Sequence, residues 1–295
     1  MNIKSKLLGV KVALLLAVSG MLLTMTSCGN EGEIYPVSRE EGSGTRSAFV
    51  ELSGTVSDTG RDLITQHAEV TNSTAVMLQT VGDNAAAIGY LSLGSMAPNV
   101  KAIKVDGVEP TGENIKNGSY KIARTFNLVL GENLDSLAKD FIEFVTRNKG
   151  QEIVEQQGYV KTSDGKDYEM LDGADEKEGK ITIAGSTSVA PVIEFIGAEY
   201  MKMYPNVKIE IQQSGSSAGI IAVSEGVCQI GMSSRELEEG EKSLGLKSLP
   251  IGLDGIVVAV NPENPVDQLS SKEIREVFSG QVNRWEQVIG RPVNR

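Results

Sequence analysis

The chain is poor in the residues that build metal and disulfide sites: one histidine, His67, and two cysteines, Cys28 and Cys228, among 295 residues. A single imidazole leaves no clustered His/Cys set for a metal, and one cysteine in the N-terminal segment leaves Cys228 without a disulfide partner, a small core residue by its apolar surroundings. Long hydrophobic runs are missing too. The most apolar stretch, residues 12–23, is about a dozen residues long, where a helix needs roughly 20 to cross a bilayer. Positive charge is in deficit, 28 Lys and Arg against 39 Asp and Glu for a net of −11, which speaks against a nucleic-acid partner. No glycine-rich loop ends in Gly-Lys-Ser or Gly-Lys-Thr, which excludes a phosphate-loop nucleotide site. Nor is there a Gly-x-Ser-x-Gly elbow, and His67 lies in the motif-free polar stretch Thr65-Gln66-His67-Ala68, which disfavours serine hydrolysis and makes His67 a surface residue.

What is present begins with a secretory leader. Lys4, Lys6 and Lys11 precede the apolar run, and Thr26 and Ser27 stand just before Cys28, giving a basic start, a short hydrophobic middle and small residues at the cut. The cysteine in that position resembles a bacterial lipobox, so residues 1–27 are expected to be removed, Cys28 acylated, and residues 28–33 left as a lipidated tether. Removal takes three Lys and no acid, leaving 25 basic against 39 acidic side chains, a net of −14. The rest, with 40% hydrophobic and 23% charged residues over the whole chain, has the composition of a folded globular protein.

Along that remainder, strand-like and helix-like stretches alternate, which predicts an α/β fold. Strands are expected at 34–38, 87–91, 101–105, 120–130, 181–184, 207–212, 229–232 and 256–260, and helices at 47–52, 75–81, 134–148 and 189–204. Leu134, Leu137, Phe141, Phe144 and Val145 have the period of an amphipathic helix. Residues 161–180 hold a run of Asp, Glu, Lys and Gly and read as a linker or exposed excursion.

Three loops rich in Gly, Ser and Thr each sit between a strand and a helix: 42–45, 185–188 and 214–219. A helix start offers unpaired N–H groups, glycine lets the backbone approach a ligand closely, and hydroxyls add neutral donors, so such a loop suits an anion. Singly, each is more simply a helix cap. Three in one chain, with no Lys among them and no metal set, point to anion binding by hydrogen bonds. Net negative charge does not forbid this, because a local array of N–H groups outweighs distant, salt-screened surface charge.

The segments Ser38-Arg39-Glu40-Glu41-Gly42-Ser43-Gly44-Thr45-Arg46, Ala184-Gly185-Ser186-Thr187-Ser188, Gln213-Ser214-Gly215-Ser216-Ser217-Ala218-Gly219 and Ile230-Gly231-Met232-Ser233-Ser234-Arg235 resemble the phosphate-contacting segments of periplasmic phosphate-binding proteins. The likeness continues through Asp254-Gly255-Ile256-Val257-Val258 and Phe278-Ser279-Gly280 before Trp285. It implies a two-lobed, periplasmic-binding-protein-like fold of type II, each lobe a sheet flanked by helices with the ligand in the cleft between them. It further implies a non-enzymatic, extracytoplasmic lipoprotein on the cell membrane that captures inorganic phosphate for an ABC transporter permease and needs no cofactor. Carried over position by position, the family pattern gives hydrogen-bond donors at Ser43, Gly44, Thr45, Thr187, Ser188 and Ser216, and a guanidinium at Arg39. Glu41 stands where the family has Asp, as acceptor for a proton on phosphate, and Ser234 where some members have a second Asp. The same fold binding sulfate, molybdate or a phosphonate, a surface phosphatase using one of the serines, and an anchored sensor or adhesin are the rival readings.

The order of these segments is reversed relative to most of the family, the Gly-Ser-Thr-Ser loop lying at 185 and the Gly-Ser-Gly-Thr loop at 42. The resemblance therefore implies circular permutation, with the older ends joined through 161–180, or else a fragment of a longer gene. Permutation is tolerated where original ends lie close together on the surface. One lobe is then expected to be continuous from 125 to 253, and the other assembled from 34–124 and 254–295, with hinges near Arg124 and Asp254.

Overall fold

Residues 32–169 and 177–289 are described by a computed structural model. The expected leader, Cys28 and most of its tether, the middle of the 161–180 linker and residues 290–295 lie outside the described residues. In chain order the elements are β1 (Tyr35–Arg39), α1 (Gly44–Leu52), β2 (Glu69–Thr71), α2 (Thr74–Asp83), β3 (Ala87–Ser92), β4 (Lys101–Ala102), β5 (Lys104–Val105), α3 (Gly112–Lys116), β6 (Ala123–Leu130), α4 (Ser136–Thr146) and α5 (Asn148–Gln156). They continue with β7 (Glu178–Gly185), α6 (Ala190–Met203), β8 (Asn206–Gln213), α7 (Ser216–Ser224), β9 (Ile230–Ser233), α8 (Glu239–Lys242), β10 (Lys247–Val260), β11 (Gln268–Leu269) and α9 (Ser271–Phe278).

Local chemistry explains most boundaries. Asp135 caps α4 by accepting from the Ala138 N–H at 2.7 Å, and Ser270 with Glu273 forms a reciprocal capping box at α9; caps of this kind stabilise a helix start by about 1 kcal/mol. In α4 the buried residues Ala138, Phe141, Phe144 and Val145 recur at three- and four-residue spacing, the inward face the sequence predicts. The β7 strand runs parallel to both β8 and β9, as strands joined by crossover helices must.

The strands join in the order β2-β1-β3-β10-β6-β9-β7-β8, with β4 also on β10. This curled sheet carries two main cores. One gathers Phe126, Phe141, Ile183, Ile193, Tyr200, Ile230 and Ile251; the other gathers Phe49, Tyr90, Ile122, Ile256, Val258 and Phe278. The fold is the two-lobed α/β architecture. β6 and β10 pass between the cores as an antiparallel pair, with Thr125 opposite Leu253 and Arg124 opposite Asp254.

Several elements differ from expectation, and the strand expected at 101–105 is two, β4 on β10 and β5 paired with β11 in a separate two-stranded sheet. β10 starts at Lys247, well before residue 256, and keeps pairing with β6 through a register shift between Pro250 and Gly252 that absorbs the proline's missing donor. Helix α5 follows α4 directly, where the sequence predicts one helix ending at 148. The described ends of the 161–180 segment are not a free excursion: Tyr168 and Lys177 both bind the Asp140 carboxylate (2.8 and 2.7 Å), and β7 begins at Glu178. His67 is exposed and Cys228 buried, as expected.

Candidate functional site

Each glycine-rich loop delivers a helix start to one place between the two cores. β1 ends at Arg39, whose N–H donates to the buried Tyr90 hydroxyl at 3.1 Å while Ser38 Oγ bonds the same oxygen at 2.8 Å. Burial pushes the Tyr90 phenol up to about 12, so it stays protonated and holds the strand end rigidly. The chain then turns through Gly42 and enters α1, which Ser43 caps. From the other side, β7 leads through Gly185 to Ser186, Thr187 and Ser188 ahead of α6, and β8 leads to Ser216, the first residue of α7.

Gly44 shows how tightly these starts meet. A Cβ built there would lie 2.4 Å from Ser216 Oγ and 2.6 Å from Ser234 Oγ, so any side chain would displace both hydroxyls. Gly185 is as constrained: its φ is +139°, and a Cβ would come 2.2 Å from the Met232 carbonyl oxygen. Gly185 does not accommodate alanine without backbone movement, whereas at Gly44 the two serine hydroxyls would have to turn out of the cluster.

The hydroxyls between the loops form two sets, linked by the Ser188 N–H, which donates to Ser186 Oγ at 3.3 Å. Thr45 Oγ1 and Ser188 Oγ are 2.9 Å apart, and Ser188 Oγ lies 3.0 Å from Thr74 Oγ1, which is 3.2 Å from Thr187 Oγ1. Ser186 Oγ donates to Ser234 Oγ at 3.0 Å, and Ser234 Oγ is 3.3 Å from Ser216 Oγ. Arg39 Nη1 reaches Thr74 Oγ1 at 3.5 Å. Ser43, Thr45, Thr187, Ser188, Ser216, Ser234 and Arg39 are each no more than 5% exposed. Leaving such a group unpaired would cost about 1–3 kcal/mol, which explains why the hydroxyls partner one another across the cleft.

The structure thus brings together Arg39, Gly44, Thr45, Thr187, Ser188, Ser216 and Ser234, while the Ser43 hydroxyl beside them caps α1 by accepting from the Arg46 N–H at 3.4 Å. It differs at Glu41, expected to be the buried acceptor. Glu41 is exposed and lines a surface cavity of about 510 Å³ with Arg46, Ser47, Glu51 and Asp62. Its neighbour Glu40 faces Arg39 instead, in a bidentate pair (Nε–Oε2 and Nη2–Oε1, both 2.7 Å). The physical reason is the turn after β1: a strand alternates its side chains, so one residue changes the face presented. Because Glu40 occupies Nε and Nη2, only Nη1 of Arg39 points to the hydroxyls.

Sequence reasoning missed Thr74, Ser186 and Glu40. Thr74 had a visible signal, a Ser-Thr pair at a helix start after a strand, which makes α2 a fourth element aimed at the cluster; Ser73 caps that helix by accepting from the Val76 N–H at 3.1 Å. Among the described residues, each hydroxyl of the cluster has as its hydrogen-bond partners other hydroxyls, N–H groups or Arg39.

The family model for the PBP superfamily domain matches residues 24–149 and 172–294. A curated protein from Streptococcus agalactiae named phosphate-binding protein PstS 2 is 45% identical over 288 residues, covering 93% of this chain and 97% of that one. The chain belongs to the phosphate-binding protein family. Among solved structures, the phosphate-binding protein of a phosphate ABC transporter from Streptococcus pneumoniae is 40% identical, with a TM-score of 0.69, over 87% of this chain and 100% of that chain. The phosphate-binding protein of Bacillus subtilis is 31% identical over 121 residues, only 40% of either chain. Family members are substrate-binding components of transporters and act on the extracytoplasmic side; among the described residues no helix is long and apolar enough to cross a membrane.

Proposed function

We propose that this member of the phosphate-binding family captures one inorganic phosphate between its lobes and delivers it to an ABC permease for import, without catalysing a reaction on it. The observation that carries this reading is the buried hydroxyl network closed across the cleft by Thr45, Thr74, Thr187 and Ser188, with the Arg39 guanidinium at its edge. A tetrahedral oxyanion would take over these donors together with the N–H groups of four helix starts, and guanidinium suits it well. The lobes are 34–124 with 254–295, and 125–253; closure about β6 and β10 buries the anion. Cys28 carries the lipid that keeps the protein at the membrane. Circular permutation is supported by the alignments: the Streptococcus agalactiae relative matches end to end, whereas the Bacillus subtilis one matches over less than half of either chain.

Calorimetric titration of residues 29–295, freed of anion, tests the central claim. Saturable one-to-one heat with phosphate is the expected result; none from a folded protein overturns it. Replacing Cys28 with Ala should release the protein from cells into the medium, and continued membrane retention would refute the anchor. A rearranged chain running from 177 through 295, joined to 34 and ending at 169, should fold and bind phosphate equally well if the order is a permutation.

A second reading, the same site accepting sulfate, is favoured by the placement of the acids. Glu41 is exposed, Glu40 is engaged by Arg39, and a hydroxyl stands at Ser234. A site without a free buried carboxylate has no repulsive element against an anion that carries no proton. Sulfate competing with phosphate in the calorimeter would establish it, and indifference to sulfate would exclude it.

A further inference from the structure

The strands joining the lobes contain a buried ion pair that bonds to none of the cluster hydroxyls directly. Arg124 on β6 and Asp254 on β10 are directly opposite in the antiparallel register, and their side chains are 3% and 0% exposed. Asp254 Oδ2 accepts from Arg124 Nε and Nη2 at 3.1 and 3.0 Å, and Oδ1 accepts from Ser92 Oγ at 2.7 Å and the Leu93 N–H at 3.1 Å. Burial pushes the Asp254 carboxyl up and the Arg124 guanidinium down, while their mutual attraction opposes both.

The remaining donor reaches the site. Arg124 Nη1 donates to the main-chain carbonyl of Ser234 at 3.4 Å, and the Ser234 N–H donates to Ser216 Oγ at 3.2 Å. One chain of hydrogen bonds therefore runs from Ser92, at the end of β3 in one lobe, through the crossing strands to Ser234 and Ser216 in the other. A buried ion pair is a poor device for stability alone, since desolvation consumes most of its attraction. Its advantage is direction: a planar guanidinium with one face on Asp254 can hold a carbonyl in only one place.

We propose that Arg124 is a positioning residue for anion capture, fixing the Ser234 backbone so that its hydroxyl and N–H stay in the cluster as the lobes move, with Asp254 orienting Arg124. This rests on the phosphate reading for its binding readout and on that reading alone. Arg124→Lys keeps a cation for Asp254 but loses the fork that serves Asp254 and Ser234 together. It should weaken phosphate binding about tenfold with little change in melting temperature, and in apo protein it should speed amide exchange at residues 231–236. Ser234→Ala should weaken binding by a similar factor, and the double variant Arg124→Lys/Ser234→Ala should bind no worse than the weaker single one, because both act through one residue. The charge-neutral pair Arg124→Gln/Asp254→Asn, which leaves no uncompensated charge, should repeat the loss if Arg124→Lys folds poorly. Wild-type phosphate affinity in Arg124→Lys, full additivity with Ser234→Ala, or unchanged exchange at 231–236 would each overturn the proposal. If the wild-type protein itself gives no heat with phosphate, the phosphate reading falls, while the exchange measurement, which needs no ligand, still decides the role of Arg124.

Discussion

Two buried polar clusters in this molecule are built on opposite principles. The cleft network is made of neutral hydroxyls held to each other at 2.9–3.3 Å. The other is centred on a formal charge: Asp140, on α4, accepts from Tyr168, Tyr200 and Lys177 at once. Around it, Tyr168 and Tyr204 share a bond of 2.6 Å, and the Lys177 ammonium lies 4.2 Å from the Tyr204 ring centroid. Neutral, mutually bonded hydroxyls exchange partners at small cost, which suits a site that must open and take up an anion. A carboxylate sharing three donors is costly to separate, which suits a joint that must stay shut. Tyr168 and Lys177 lie at the two described ends of the 161–180 segment, so this second cluster fastens the connection between α5 and β7 to the body of the protein.

The comparison is broken most directly at its charged centre. Asp140→Ala should lower stability by about 3–5 kcal/mol in urea unfolding, because it strands Lys177 and the tyrosine hydroxyls, and phosphate affinity of the folded protein should not change. Arg39→Gln should shift the balance towards binding, weakening phosphate binding by about 1.5–3 kcal/mol, as expected for a hydrogen bond to a charged group, with a smaller loss of stability than Asp140→Ala because the stranded Glu40 is partly exposed to water. Thr74→Val should cost the site about 1 kcal/mol of phosphate binding while Thr74→Ser keeps it; equal behaviour of the two would show that the hydroxyl is not used. The smallest effect is a pH dependence. Tyr168 and Tyr200 are raised above 10.0 by burial and by bonds to their neighbours, Tyr204 and Asp140 for the first and Asp140 for the second, and Tyr90 and Tyr159 are raised to about 12, mainly by burial. The folded state then holds protons that the unfolded chain releases. Their contribution is complete below pH 10 and is lost as pH rises towards 12, so the melting temperature should fall across that window. Tyr168→Phe should shrink the fall slightly, without touching phosphate affinity.

How much could be read from the chain depended on how local the cause was. The glycine-rich loops and their helix starts were legible because cap and turn chemistry is written in consecutive residues, and so were Arg39, Thr45, Ser188 and Ser216. The choice between Glu40 and Glu41 was not, since two adjacent acids differ only in which face of the turn they present, and backbone geometry decides that. The strand expected at 256–260 extends back to Lys247 because residues 247–255 pair with β6; pairing across the sheet, not the propensity of Lys247, Ser248 and Pro250, makes them strand. Tyr168 looked like part of a solvated linker because its partner Asp140 lies far away in sequence.

By itself the sequence determined that this chain folds as alternating strands and helices, and that its glycine-rich turns would present hydroxyls and helix N–H groups. Those properties follow from residue type and short spacing. Only the tertiary structure decided that the turns from opposite lobes converge, that Thr74 joins them, that Glu40 rather than Glu41 holds Arg39, and that Arg124 and Asp254 meet in the strands between. Each of these is a contact between residues remote in sequence or a choice of face at a turn, and both are set by how the sheet curls and pairs rather than by the residues taken one at a time.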